Sequence, residues 1–129
     1  MSAPNFPTDS WYQQLPGSWL LDLERSQVAN ILARSHGDHL LQIGGTHDLR
    51  HSAESPINHR FQLVTALPTS GNYPHIHANL LELPILPHSV NVVLLIHVLE
   101  FIERPVQLLE EVYESLAPGG QIIILGFNP

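Results

Sequence analysis

The chain has 129 residues, of which 43% are hydrophobic and 13% are charged, and this composition predicts one compact domain rather than two domains or a disordered chain. Its formal charge is −7, and the five basic residues are scattered arginines, which argues against nucleic acid as a partner. The absence of cysteine excludes disulfides, a thiolate nucleophile and cysteine zinc sites.

The sequence carries no pattern of export or membrane insertion. Residues 1–11 contain no basic segment followed by an apolar one, so we do not expect a signal peptide. No apolar run approaches the roughly 18 residues of a membrane-spanning helix. We therefore expect a cytoplasmic protein with no membrane partner.

The N-terminal third divides into two segments. Residues 1–17 contain three prolines together with Trp11 and Tyr12, and we expect an extended arm that is anchored by these aromatic rings. Residues 18–36 place leucine, valine and isoleucine near the 3.6-residue period, which predicts a helix with Ser18 as its N-cap. The α/β core then runs from residue 38 to residue 129, within a single domain.

Five short apolar runs in the remaining chain predict five strands. They cover residues 39–43, 61–66, 73–79, 90–98 and 121–125, and Pro68 and Gly71 are expected to end the second. The fourth run is continuous and β-branched, as in a central strand that is covered on both faces. Pro105 begins an amphipathic helix, which Pro118 and the glycines after it end.

This alternation of strands and helices predicts a doubly wound α/β fold with a mostly parallel sheet. In such folds ligands bind at the carboxyl ends of the strands, where the strand order reverses. Gly44 and Gly45 follow the first strand at such a place, since the lack of a Cβ lets a ligand approach the backbone closely. A plain strand-to-helix turn would explain the two glycines equally well.

Four segments together resemble a known family. Residues 40–45 (Leu-Leu-Gln-Ile-Gly-Gly), 79–85 (Asn-Leu-Leu-Glu-Leu-Pro-Ile), 89–101 and 108–120 follow the order and spacing of the class I S-adenosylmethionine-dependent methyltransferases, and most closely their type 11 branch. The resemblance implies the strand order 3-2-1-4-5, S-adenosyl-L-methionine as cofactor and a small-molecule acceptor. The acceptor itself is not identified by these segments.

The same resemblance implies where the cofactor would bind. The corresponding residues are Gln42, Gly44, Gly45, Thr65, Asn79 and Leu80. Gln42, Thr65 and Asn79 stand where the family has acidic residues, and Thr46 and Asp48 stand where it has further loop glycines. The alternative is therefore a catalytically silent methyltransferase-like module that binds or assembles with a partner. A dinucleotide-binding enzyme is disfavoured, because the loop lacks the Gly-x-Gly-x-x-Gly pattern.

His97, at the end of the fourth strand, is the candidate catalytic residue. A near-neutral imidazole at this edge of the sheet could accept a proton from the acceptor, although a local structural role is also open. Glu100 and Glu103 follow it and are expected on a solvated helix start. The chain has nine histidines, but the pairs His36 with His39, His47 with His51 and His75 with His77 lack further ligands, so no metal site is predicted.

The end of the chain bears on assembly. Family members complete the sheet with a sixth and an antiparallel seventh strand, and we expect both to be absent here, as in a shortened domain. The apolar fifth strand would then be an exposed edge that favours pairing with a second chain. We expect a homo-oligomer through this edge, or a fragment of a longer protein.

Overall fold

The computed structural model describes residues 9–66 and 73–127. Its helices are α1 (Asp9–Gln13), α2 (Gly17–Leu32) and α3 (Pro105–Ser115), with short 3₁₀ turns at Arg50–Ser52 and Leu99–Phe101. Its strands are β1 (His39–Gly44), β2 (His59–Val64), β3 (His75–His77), β4 (Val90–Ile96) and β5 (Leu116–Leu125). Within these residues, no helix combines the length and the apolar character that crossing a membrane requires.

The five strands form one parallel sheet. Its order is β3-β2-β1-β4-β5, which confirms the predicted doubly wound α/β fold and the strand order 3-2-1-4-5. The strand order reverses between β1 and β4, whose carboxyl ends lie side by side with Gly44 opposite Ile96. The sheet therefore places the ends of these two strands at the position where ligands bind in this architecture.

Helices cover the sheet on both faces. On one face α3 contributes Leu108 and Val112 to a core that includes Leu41, Val93 and Leu95. On the other face, α2 contributes Val28 and Leu32 to a second core. The strand residues of this core come from the alternate positions of β1 and β4, namely Leu40, Val92, Leu94 and Ile96. Because successive strand residues point to opposite faces, the continuous apolar runs of β1 and β4 supply both cores.

The N-terminal segment differs from the prediction. Residues 9–13 form the helix α1 rather than part of an extended arm, because burial of Tyr12 at 1% exposure compensates for ordering the turn. The next helix begins at Gly17 with Pro16 in place of Ser18 as the N-cap, and ends at Leu32 instead of residue 36. Just after this helix, the Ser35 hydroxyl donates a hydrogen bond to Oε1 of Gln121 in β5 (2.9 Å).

Several strand limits also differ. β2 and β3 end at Val64 and His77, earlier than predicted, and β4 ends at Ile96. β5 begins at Leu116, five residues early, because Leu116 already pairs with Val90 as the helix ends, with a register shift before the regular ladder. Pro68 and Gly71, expected to end the second strand, lie outside the described residues.

Candidate functional site

The candidate site lies where the carboxyl ends of β1 and β4 meet. Gly44 has a φ of +81°, and a Cβ on this residue would lie 2.2 Å from the carbonyl oxygen of Ile96. A larger residue would force the two strands apart, so glycine is required for this close approach. The packing of β1 against β4 therefore explains the glycine at position 44, and the close approach of a ligand to its backbone stays a prediction.

Two glutamines hold the loop that follows β1. The Gln42 amide donates hydrogen bonds to the carbonyls of Gly44 (2.9 Å) and Thr46 (3.1 Å), and the Gln62 amide donates to Gly44 as well (3.1 Å). Gly45 has a φ of +77°, and a Cβ there would lie 2.8 Å from the Gln42 amide nitrogen. Gln42 therefore shapes the loop from within the core, where it is fully buried.

The same loop retains two hydrogen-bond acceptors. Gln42 Oε1 and Asp48 Oδ1 are buried, and neither has a hydrogen-bond donor among the described residues. Burial alone would raise the pKa of Asp48, but hydrogen bonds from Thr46 and Arg50 outweigh it and lower the pKa of this carboxyl. An amide oxygen at the end of β1 and a carboxylate oxygen of the following loop are thus buried acceptors without a donor among the described residues.

The residues predicted after β2 and β3 make local contacts. Thr65 is partly exposed, and its carbonyl accepts a hydrogen bond from His77 Nε2 at 3.0 Å. Asn79 is exposed, and its Oδ1 accepts the backbone N–H of Leu81 at 2.9 Å, as in an Asx turn. Leu80 is buried at 6% exposure. Thr65 follows β2, which pairs with β1, whereas Asn79 and Leu80 follow β3, which pairs with β2. The binding role of all three stays a prediction.

His97 is fixed by two carboxylates. It is 1% exposed and adopts a φ of +51°, an uncommon backbone conformation for a residue other than glycine. Its Nε2 bonds one oxygen of Glu24, which lies on α2, and its Nδ1 lies 3.1 Å from Oε2 of Glu100. The ring stacks on Phe127 with a centroid distance of 3.9 Å. Both imidazole nitrogens are therefore engaged, and the catalytic role of His97 stays a prediction.

Glu24 bridges two histidines. Its second oxygen lies 2.9 Å from Nε2 of His51, and the residue is only 6% exposed. Burial alone would raise the pKa of Glu24, yet the hydrogen bonds with His51 and His97 outweigh it and lower this pKa. Burial would likewise lower the pKa of His97, and the bonds to Glu24 and Glu100 raise it instead. The two carboxylates thus favour the charged form of the ring.

Tyr12 and Glu100 complete what we call the Glu24 cluster, which comprises Tyr12, Glu24, His51, His97 and Glu100. Burial raises the pKa of Tyr12 beyond its usual range, and the charges of Glu24 and Glu100 add to this, so its phenol stays neutral. Burial alone would raise the pKa of Glu100, but the backbone N–H of Phe127, which donates at 2.8 Å, and His97 lower it. The Glu100 side chain is 25% exposed, so the cluster reaches solvent on this side.

The sequence analysis identified His97 but missed its main partner. Glu24 lies 73 positions away in the chain, on the N-terminal helix, for which the sequence analysis predicted no site residue. A signal was nevertheless present, because Leu21, Glu24 and Val28 lie on the same buried face of α2. A carboxylate within the apolar stripe of a helix is buried and must find a partner there.

Other parts of the molecule do not join the site. A cleft of about 660 Å³ runs along α3 and is lined by residues such as Leu81, Glu103 and Glu111, none of which is a predicted site residue. Within the described ranges, no three histidine or acidic side chains are arranged to hold a metal ion. His39, one of the paired histidines, lies with its Nδ1 2.7 Å from Nδ1 of His59.

Comparison with known proteins supports the sequence resemblance. A family model described as a methyltransferase domain, of type 11, matches residues 26–124. The uncharacterized protein YafS of Escherichia coli (strain K12) is 32% identical over 107 residues, which are 83% of this chain and 42% of YafS. The chain thus spans less than half the length of this curated relative.

Solved structures share the fold. A putative methyltransferase of Haloferax volcanii, in a complex with the Trm112 methyltransferase activator, is 20% identical with a TM-score of 0.65, covering 90% of this chain and 57% of that one. A putative S-adenosyl-L-methionine-dependent methyltransferase from Methanococcus maripaludis is 14% identical with a TM-score of 0.67, covering 98% and 67%. At these identities the comparison shows the fold alone.

Proposed function

The chain belongs to the type 11 methyltransferase domain family, of the class I S-adenosylmethionine-dependent kind, and from this premise we propose that it binds S-adenosylmethionine and methylates a small-molecule acceptor. One observation carries the proposal. The Glu24 cluster is a buried group of carboxylates and imidazoles at the point where the strand order reverses, which is where this fold binds its ligands. Ionisable side chains with shifted pKa values in such a place are typical of functional sites.

The residues of the β1 loop suit the amino-acid end of the cofactor. Gln42 Oε1 and Asp48 Oδ1 are buried acceptors without donors among the described residues, and an ammonium group would supply those donors. Gly44 and Gly45 would bring their backbone close to the ligand, while the predicted residues Thr65, Asn79 and Leu80 would provide polar and apolar contacts to the nucleoside. When bound, the cofactor supplies a methyl group on a cationic sulfur, ready for attack by a nucleophile.

The protein then has to orient the acceptor and remove its proton. Methyl transfer needs the nucleophile in line with the methyl group, and holding it there supplies much of the acceleration. We assign the proton transfer to His97, which lies at the end of β4 with its ring fixed by Glu24. The neutral ring, protonated at Nε2, accepts this proton at Nδ1 once Glu100 has moved away from that nitrogen.

Calorimetric titration of the whole chain tests the binding step. We expect saturable binding of S-adenosylmethionine and of its demethylated product S-adenosylhomocysteine, with about tenfold weaker binding in Asp48→Asn, since a charged hydrogen bond is lost. Glu103→Gln, which changes an exposed carboxylate in the cleft along α3, serves as the matched control and should bind as the parent does. No heat of binding from either nucleoside at millimolar concentration would remove the enzyme proposal for this chain.

The alternative function, a silent partner-binding or assembly module, is favoured by a different observation. Gln42, Ile96 and His51 already occupy the space next to Gly45, and uncharged Gln42, Thr65 and Asn79 replace the acidic residues of the family. For comparison, the Haloferax volcanii structure is a complex with an activator protein. If a variant with Asn79→Asp, Thr46→Gly and Asp48→Gly binds the cofactor and the parent does not, the silent module is the correct description.

A further inference from the structure

We propose that Glu24 is a positioning residue for methyl transfer, whose carboxylate keeps the proton on Nε2 of His97 and leaves Nδ1 as the nitrogen that exchanges a proton with the acceptor. This inference rests on the proposed function and adds to it a residue from the N-terminal helix. It also assigns separate roles to the two ring nitrogens of His97.

The geometry at Nε2 supports this assignment. Glu24 is 6% exposed, and each of its two oxygens bonds a different histidine, Nε2 of His97 and Nε2 of His51. A carboxylate held at both oxygens cannot rotate away from the ring, so it fixes both the orientation of the imidazole and the nitrogen that carries the proton. Stacking on Phe127 restricts the ring further.

The contact at Nδ1 is of a different kind. Glu100 lies on a short 3₁₀ turn, its side chain is 25% exposed, and the Phe127 N–H that bonds it comes from the segment after β5. A partly exposed side chain on such a turn can move at a lower cost than the buried Glu24. In this proposal the acceptor therefore arrives on the Nδ1 side of the ring. Until the acceptor binds, Glu100 holds the hydrogen bond at Nδ1.

The proton steps follow from the charges around the ring. His97 faces Glu24 from α2 and Glu100 from the 3₁₀ turn, while His51 bonds the far oxygen of Glu24 and Tyr12 of α1 lies near both carboxylates. When an acceptor displaces Glu100, the ring loses one of the two carboxylates that favour its charged form, and Nδ1 releases its proton to solvent. The freed lone pair then accepts the acceptor's proton.

The transfer step balances with the cofactor as co-reactant. The nucleophilic atom of the acceptor bonds the methyl carbon while the carbon–sulfur bond breaks, and sulfur keeps the electron pair. The acceptor's proton moves to Nδ1 of His97, and the resulting imidazolium is neutralised by Glu24. The acceptor class that fits is a small molecule with an ionisable O–H or N–H group, rather than a thioether or tertiary amine, which has no proton to give.

Nitrogen NMR on ¹⁵N-histidine-labelled protein tests the assignment without cofactor. The ring nitrogen shifts of His97 report which nitrogen loses its proton as pH rises, and His97→Gln identifies the signals. We expect the neutral ring of the parent to keep its proton on Nε2, and the midpoint of its titration to move to lower pH in Glu24→Gln. Glu24→Asp, which keeps the carboxylate, should shift the midpoint of the His97 titration less than Glu24→Gln does. Glu103→Gln should leave this midpoint unchanged.

Other outcomes overturn the proposal. A neutral ring in the parent with its proton on Nδ1, or a midpoint that Glu24→Gln leaves in place, would show that Glu24 does not set the protonation of His97. Should Glu24→Gln fail to fold, the tautomer of the parent and the titration of Glu100→Gln still test the proposal. The proposal requires that Glu100→Gln lowers the midpoint of the His97 titration and leaves the proton on Nε2. If the parent shows the expected tautomer but binds no S-adenosylmethionine, the proposed function fails and the pairing of Glu24 with His97 stands.

Discussion

Gly44 occupies a position where both backbone conformation and space demand glycine. Its φ is +81°, and a Cβ would lie 2.2 Å from the Ile96 carbonyl oxygen. We expect Gly44→Ala to lower the free energy of unfolding by clearly more than about 1 kcal/mol, because strain and the clash with β4 add together. Urea unfolding followed by circular dichroism measures this loss.

Gly119 provides the matched control for this prediction. Its φ of +77° is nearly the same, but a Cβ there would meet nothing within 4 Å. Gly119→Ala should therefore show the conformational strain alone and lose less stability than Gly44→Ala. Equal losses in the two variants would mean that the contact with Ile96 contributes nothing.

At the scale of elements, the Glu24 cluster joins α2 to the end of β4. The pKa of Glu24 is lowered from 4.5 in the folded protein, so its contribution to stability is present above pH 4.5 and is lost as pH falls through the lowered value. The pKa of His97 is raised from 6.5, so its contribution is present below pH 6.5 and is lost as pH rises through the raised value. Both contributions are complete between these two limits.

We expect Glu24→Gln to destabilise the chain most between pH 4.5 and 6.5, since the ion pair is fully formed there. Removing one partner of a buried pair costs about 3–5 kcal/mol, and the loss should shrink at lower and higher pH. Urea unfolding of parent and variant across this range provides the measurement, with Glu103→Gln as an exposed control. A difference that does not vary with pH would indicate lost packing instead of a lost ion pair.

The elements differ in how far the sequence predicts them, and the reason is physical. β1 and β4 are short, mostly apolar runs with buried residues on both faces, so the sequence pattern predicted these strands, whereas their order came from the family resemblance. α1 depends on the burial of Tyr12, and the pairing of Glu24 with His97 joins residues 73 positions apart. Such features arise from tertiary contacts, which local patterns do not encode. The loop glycines were identified, but the partners that fill the space around Gly45 were not.

At the scale of the whole sheet, β5 lies at one edge within the part of the chain that the structure describes. Among the described residues β5 pairs with β4 alone, and its residues 121–125 contain no charge or proline that would oppose further pairing. Ile124, near the end of this strand, is 50% exposed. Unpaired backbone groups beside an uncharged apolar surface favour the addition of another strand. The partner that we propose is a second copy of the chain, paired along this edge.

Sedimentation equilibrium tests this assembly directly. We expect a species of about twice the 14.4 kDa chain mass, because pairing two β5 edges satisfies backbone groups on both copies and covers Ile124 on each. Ile124→Lys should shift the protein to monomers, since a charge on the edge must be desolvated on pairing. Tyr113→Lys, which adds the same charge at a residue of α3 that is 75% exposed, should leave the mass unchanged. A monomeric parent, or equal dissociation of both variants, would place β5 outside any interface between copies.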